Sequence, residues 1–434
     1  MERLSRRTFT AAATAALATA ALPADAQAAT APRGGVPGAG GSPASSNTRP
    51  RREDSGCRQM RGMWIATVAN TDWPSAPGLS PAEQWQELTD LLDVAVERRL
   101  NAVMFQVRPT ADAFWPSPYE PWSQYLTGTQ GRYPGWDPLG TAVHEAHRRG
   151  LELHAWFNPY RVSLTTDASR LAATHPARLH PDWTVPYGGK LFYNPGLPEV
   201  RRFVQDAMLD AVRRYPIDAV HWDDYFYPYP VAGQTFQDDD AYARYGAGFA
   251  DRDAWRRANT DLLVSEMAAR IKRIRPRTRF GISPFGVWRN ATTDPLGSAT
   301  AAGVQTYDDL HADTRKWVKE EWIDYLVPQV YWLAQPLDQQ VPANYGVLVP
   351  WWSDVVAGTR TKLYIGEAVY KVGAAGQPAQ WQDPAELSRH LDLCAQHLEV
   401  RGNIYFSATE VAEDPLGAIS LLVANHYPTR VRTP

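Results

Sequence analysis

The 434-residue chain carries 44 Lys and Arg against 47 Asp and Glu, a formal net charge of −3, together with 17 Trp and 20 Tyr. That near-neutral balance excludes a nucleic-acid binder, which needs a basic face. Two cysteines, Cys57 and Cys394, exclude a disulfide framework and leave room for one bridge at most.

The first stretch reads as an address. Ser5-Arg6-Arg7-Thr8-Phe9 is a twin-arginine pattern, an Ala/Thr/Leu run too short for a stable anchor follows, and Ala24-Asp25-Ala26 offers a small-residue cleavage site. Residues 1–30 are therefore expected to be a signal for Tat export. Residues 31–58, rich in Ala, Gly, Pro and Ser, are expected to form a disordered linker. No lipobox precedes Cys57, so no membrane anchor is expected once the signal is cleaved. The folded domain then occupies residues 59–434.

From residue 60 onward, short β-branched and aromatic runs alternate with amphipathic stretches. Strands are predicted at 60–67, 102–109, 151–159, 219–226, 279–286, 325–332, 362–371 and 402–409. Helices are predicted at 81–99, 138–149, 198–215, 253–275, 307–321, 384–397 and 415–426. Asp137-Pro138, Asp383-Pro384 and Asp414-Pro415 each set an acid as N-cap before a proline in the first turn. Eight such units predict an α/β fold, a (β/α)8 TIM barrel. A doubly wound open sheet is the alternative, but no Gly-rich phosphate loop follows the first strand.

Alternate strand residues of a barrel face the helices or the interior. On the second strand Val103, Phe105 and Val107 take the helix side, leaving Met104, Gln106 and Arg108 inward. On the third, Leu151, Leu153, Ala155 and Phe157 leave Glu152, His154, Trp156 and Asn158 inward. On the fourth, Val220 and Trp222 leave His221 and Asp223 inward, and on the sixth Gln329 and Tyr331 face in. This pattern predicts a polar pocket rather than a packed plug, opening at the C-terminal rim where barrel enzymes keep their chemistry.

Asp223 is the leading candidate for a catalytic group. It ends the run AVHWDDYFYP (219–228), among aromatics that raise the cost of an idle charge. Its alternative role is a structural acid paired with Arg108 or a lysine. Asp224 starts the loop beside it. Glu367, in LYIGEAVY, shares parity with Leu363, Ile365 and Val369 and should point toward the helices, which leaves it a weaker candidate. His144-Glu145-Ala146-His147 lacks the spacing of a zinc-protease helix, and Gly281-Ile282-Ser283-Pro284-Phe285 lacks the last glycine of a nucleophile elbow. No metal site and no cofactor are expected.

The segments RGMWIAT, FQVRPTADAFW, HAWFNPYR, HWDDYFYP, WRRANTDLLVSEM, GISPFGVWRN, PQVYW and LYIGEAVYKVG, in this order from residue 60 on, resemble the bacterial glycosyl-hydrolase-like family ten. The resemblance implies a (β/α)8 glycosidase, in some relatives acting on peptidoglycan glycan strands stripped of their peptides. It implies Asp223 and Asp224 in the catalytic region, lined by Arg108, Asn158 and Gln329. Glu367 stands where a glutamine or an apolar residue is usual in that pattern.

On this basis the expected partner is a polysaccharide or oligosaccharide. Gln329, Asn158 and Arg108 are expected to bind hydroxyls, and Trp64, Trp288, Tyr331 and Trp332 to stack on sugar rings, with Tyr160 and His221 completing the binding set. Two mechanisms fit. In one, a 2-acetamido group of the substrate attacks the anomeric carbon while the two aspartates orient it and protonate the leaving oxygen. In the other, Asp223 works with a loop acid such as Asp72 or Asp112. A carbohydrate-binding barrel without turnover is the reading from another class.

Overall fold

The computed structural model describes residues 58–433, apart from 338 and 340. The expected signal, Cys57 and the expected linker before it lie outside the described residues. The chain runs through β1 (Met60–Ile65), β2 (Ala102–Arg108) and β3 (Glu152–Phe157). An antiparallel insertion follows, with β4 (Arg161–Ser163), β5 (Thr184–Tyr187) and β6 (Lys190–Tyr193). Then come β7 (Ala219–Trp222), β8 (Arg279–Ile282), β9 (Tyr325–Leu326), β10 (Lys362–Ala368) and β11 (Val400–Phe406). Without the insertion, the eight remaining strands pair in parallel and close into a barrel with helices between them, the predicted TIM barrel. Closure joins β1 to β11 with Met60 opposite Gly402. Gly402 has φ +145, and a Cβ there would overlap the backbone of Met60, so only glycine fits that seam. Among the described residues no helix is long and apolar enough to cross a membrane.

Two nested cores follow the predicted alternation. Val103, Phe105, Val107, Leu153, Phe157, Val220, Trp222, Leu326 and Val330 belong to the large core between strands and helices. Met60, Trp64, Met104, Trp156, Tyr325, Tyr364 and Ile404 form a separate core inside the barrel. The interior is thus a packed plug, which corrects the expectation of an open polar lumen. A chain of its polar side chains is hydrogen-bonded from one end to the other. The Trp64 indole can only donate, so its 3.0 Å bond to His221 Nε2 makes that nitrogen an acceptor and leaves the proton on Nδ1. His221 Nδ1 then donates to the Tyr325 hydroxyl at 3.1 Å, and that hydroxyl donates to His154 Nδ1 at 2.8 Å. His154 Nε2 closes the chain on Glu152 at 3.2 Å. Burial pushes the Glu152 carboxyl up, but His154 and Arg279 bring it down to about 2, so an ionised acid anchors the far end.

Helix starts follow local chemistry. Ser80 and Glu83 form a capping box for Pro81–Glu97, and Asp137 accepts from Gly140 N at 3.0 Å to cap Pro138–Arg148. The other two Asp-Pro pairs act differently. Asp383 and Pro384 precede the helix Glu386–Cys394, and Asp414, at φ 54, reaches forward to the backbone N–H groups of Ile419 and Ser420 at the start of Ala418–His426. The predicted helix 307–321 is two pieces, Thr306–Asp309 and Thr314–Lys319, separated by His311 at φ 49. The helix Tyr345–Val356, with Pro350 inside it, and the β4–β6 insertion had no counterpart among the predicted elements.

Several barrel strands end earlier than predicted, at the rim. Pro284 and Pro328 have no N–H to give a ladder. Beyond them the barrel continues only as single bridges, Gln329 with Phe285 and with Gly366. The residues freed by these early endings form the mouth.

Candidate active site

Asp223 follows the last residue of β7 and is only 3% exposed. Both of its oxygens are occupied. Asn158 Nδ2 lies 3.1 and 3.0 Å from Oδ1 and Oδ2, Trp156 Nε1 donates to Oδ2 at 3.1 Å, and the Tyr225 N–H reaches Oδ1 at 3.3 Å. Burial raises this carboxyl, while the nearby Arg161 charge, Asn158, Trp156 and the Tyr225 N–H oppose that rise. Asp224 is also buried and has a poorer set of partners: the Tyr229 hydroxyl donates to its Oδ2, with Gln329 giving a lesser contribution. Burial first, and the Asp223 charge second, push Asp224 up to about 6. Two adjacent buried acids cannot both ionise cheaply, so they titrate as a pair. The donors and the cation gather on Asp223, so of the two Asp223 gives up its proton first and Asp224 keeps its proton longer as the pH rises.

The remaining expected residues fall into two groups. Gln329, Tyr331 and Trp332 are half-buried at the mouth; Gln329 Nε2 donates to the Ser283 carbonyl at 2.9 Å, and Trp332 packs edge-on against Phe285. The others face protein. Arg108 is fully enclosed, forked onto Glu120 and donating to the carbonyls of Asn158 and Pro159, so it braces the loop and contacts no cleft. Asn158 spends its amide on Asp223 and its Oδ1 on the Arg161 N–H. Trp64 and His221 belong to the plug, and Tyr160 is wholly buried with its hydroxyl unpartnered. Trp288 is 4% exposed, bonded to Asp313 and stacked on Trp351, so neither it nor Trp64 presents a free ring face. These six expectations of sugar contact are revised to support roles by burial.

The lower-ranked acids are enclosed in the protein. Asp72 accepts from Ala66 N, Ser407 Oγ and Thr409 N, tying the end of β1 to the end of β11. Asp112 is completely buried beside Gln130, and burial lifts both Asp72 and Asp112 to about 6. Glu367 faces the helices as its parity predicts, accepting from Tyr345, His390 and Asn403. Among the described residues no group of three or more His, Cys, Asp or Glu is placed to hold a metal.

Sequence reasoning missed Arg161, Tyr225, Tyr229, Phe285 and Phe406, which surround the pair and its mouth. The density of tyrosine in DDYFYPYP was the available signal for two of them. Two surface grooves lie elsewhere. One of about 770 Å³ runs between the helices Pro198–Arg214 and Arg252–Ile274, and one of about 680 Å³ sits at the N-terminal end of the barrel. Neither contains the carboxylate pair, and the chemistry of the pair decides the assignment.

Comparison with known proteins agrees with the barrel fold and places the chain among glycosyl hydrolases. The family model described as Glycosyl hydrolase-like 10 matches residues 59–383. Glycosyl hydrolase YngK of Bacillus subtilis (strain 168) is 49% identical over 372 residues, which is 85% of this chain and 72% of that protein. Glycosyl hydrolase DigH of Escherichia coli (strain K12) is 40% identical over 385 residues, 84% of this chain and 86% of that protein. Among solved structures, the PgaB (BpsB) glycoside hydrolase domain from Bordetella bronchiseptica superimposes with a TM-score of 0.53 at 13% identity, covering 86% of this chain and all of that one. The catalytic domain of a β-amylase from Paenibacillus polymyxa gives 0.51 at 9% identity, covering 85% and 98%. At such identities these two structures speak for the fold alone.

The Tyr229 hydroxyl stabilises the ionised form of Asp224, so Tyr229→Phe raises the Asp224 pKa above about 6. A group that must be protonated loses activity as pH rises through its pKa, so the alkaline limb of kcat/KM should move to higher pH in this variant. A limb that stays in place, or moves down, contradicts the proton assignment.

Proposed function

The chain belongs to the Glycosyl hydrolase-like 10 family and is a glycoside hydrolase with a TIM-barrel fold, and from that premise we propose that it cleaves peptidoglycan glycan strands outside the cytoplasm by substrate-assisted catalysis. The observation that carries the reading is the unequal surroundings of two adjacent buried acids, with the donors gathered on Asp223 and Asp224 pushed up to about 6. Glycoside hydrolysis needs both states at once.

In this mechanism the carbonyl oxygen of a substrate 2-acetamido group attacks the anomeric carbon. The bond from that carbon to the leaving oxygen breaks, and Asp224 transfers its proton to the departing oxygen. Asp223 accepts a hydrogen bond from the acetamide N–H and offsets the positive charge that develops on the resulting ring. Water then attacks the anomeric carbon, the bond from that carbon to the acetamide oxygen breaks and restores the acetamide, and a proton of the water passes to Asp224. Asp72 is spent on Ala66, Ser407 and Thr409, and Asp112 is completely enclosed, which favours assistance by the substrate over these acids of the two-carboxylate alternative. Tyr331 and Trp332, half-buried at the mouth, supply ring faces for stacking.

Export is supported by the sequence alone, through Arg6-Arg7, the apolar run and Ala24-Asp25-Ala26. A folded barrel is suited to the Tat route. Changing both Arg6 and Arg7 to Lys should trap unprocessed precursor in the cytoplasm, and normal secretion of that variant would rule the route out.

Asp223→Asn keeps size and removes charge, and should lower turnover by about 10²-fold or more with the fold intact. Asp224→Asn should penalise substrates with poor leaving groups far more than activated aryl glycosides, which need little protonation. Near-normal turnover in Asp223→Asn would overturn the assignment. A sugar trapped covalently on any carboxylate would keep the glycosidase and overturn substrate assistance.

A further inference from the structure

Arg161 opens β4, three residues beyond Asn158, and is 6% exposed. Its backbone N–H donates to Asn158 Oδ1 at 2.8 Å and its Nε to the Pro109 carbonyl at 3.1 Å, while the guanidinium lies 5.1 Å from the Tyr225 ring centroid. Neither Nη atom is paired with another described residue, and neither is among the buried atoms left without a partner, so both border open space. The terminal fork of this buried arginine therefore has no hydrogen-bond partner among the described residues, while its charge favours the ionised form of Asp223 beside it.

A second cation joins it. β4 pairs with β6, setting Arg161 opposite Phe192, and Lys190 lies two residues from Phe192 and so on the same sheet face. That face carries Val185, Tyr187 and Phe192, which pack with Tyr227 and Phe236 of the loop that follows Asp224. The Val231 N–H donating to the Tyr187 hydroxyl at 2.8 Å, and Gly188 N donating to Gln234 Oε1 at 2.9 Å, fasten the hairpin there. Lys190 is half-buried, and both burial and the Arg161 charge lower its ammonium pKa. Among the described residues no acid forms an ion pair with either cation. Asp223 forms none, because Asn158, Trp156 and the Tyr225 N–H already occupy its oxygens. The charge of Asp223 offsets one of the two cations, and a further anion is needed to offset the other.

We propose that Arg161 and Lys190 form a carboxylate-binding subsite beside Asp223, which takes the free lactyl carboxylate of an N-acetylmuramic acid residue in the bound glycan. The planar guanidinium fork matches a carboxylate, and the ammonium adds a point charge on the same side. Converting that carboxylate to an amide removes the charge that both groups read. The inference rests on the peptidoglycan-glycan reading for the identity of the sugar.

The test uses the Asp224→Asn protein, so that turnover does not intervene, and a peptide-free glycan tetrasaccharide in its free-carboxylate and amidated forms. The free form should bind about 10-fold or more tightly than the amide, the scale of one charge-assisted hydrogen bond. Adding Arg161→Gln or Lys190→Gln should bring that ratio toward one, and Lys190→Arg should retain most of it. Equal binding of the two forms, or a ratio untouched by either glutamine, overturns the subsite. A glucuronic acid oligosaccharide bound equally tightly and lost with the same variants would overturn the lactyl assignment in favour of uronic acids. Wild-type turnover separates the two readings. Preferred binding of the free form with no cleavage of either strand keeps the subsite and sinks the substrate. Cleavage with equal binding keeps the substrate and sinks the subsite.

Discussion

Burying Asp223 and Asp224 side by side makes two charges there costly, and their surroundings decide which acid gives up its proton first. Asn158, Trp156, the Tyr225 N–H and the nearby Arg161 all favour a negative Asp223. Asp224 has the Tyr229 hydroxyl and a lesser contact with Gln329, and it feels its neighbour's charge. Much of the surrounding structure can be read as keeping that asymmetry in place. The partners of Asp223 arrive from β3 and the turn after it, so the register between β3 and β7, with Trp156 opposite His221, fixes which acid receives them.

The support beneath this pair is rigid and largely polar. Arg108 forks onto Glu120 and holds the carbonyls of Asn158 and Pro159, and so fixes the backbone from which Asn158 reaches Asp223. Breaking a buried pair of this kind by removing one partner costs about 3–5 kcal/mol, so Arg108 affects the site through the loop it braces. Below, the chain from Trp64 through His221, Tyr325 and His154 to Glu152 fills the lumen with mutually satisfied donors and acceptors. Burial lowers the pKa of both histidines, which keeps them neutral and suits them to that chain. Gly281 leaves the room that the Tyr325 ring occupies, since a Cβ at that position would overlap it.

Much of this architecture was legible in the sequence. Strand alternation sorted Val103, Phe105 and Val107 from Met104 and Gln106, and it turned Glu367 toward the helices, because a period of two leaves little freedom once one face is apolar. Alternation reports direction only. It could not tell an inward residue that meets a cleft from one that meets another inward residue, so Trp64, His221 and Arg108 were expected to touch substrate and instead lie enclosed. Trp288 was misplaced for a related reason: past the strand end no period applies, and its indole turned to Asp313 and Trp351. The insertion 161–193 carried no signal of its own, being short antiparallel strands in a segment read as loop. Arg161 and Lys190 were missed with it.

The most direct measurement is a crystal structure of the protein with a thiazoline analogue of a 2-acetamido sugar bound in the mouth. The account predicts one Asp223 oxygen about 2.7–3.0 Å from the thiazoline ring nitrogen, in the range of a charge-assisted hydrogen bond. It also predicts Asp224 on the side from which the leaving oxygen departs. Asp223 facing the anomeric carbon instead, or the ring nitrogen turned to another group, would contradict the division of labour between the two acids.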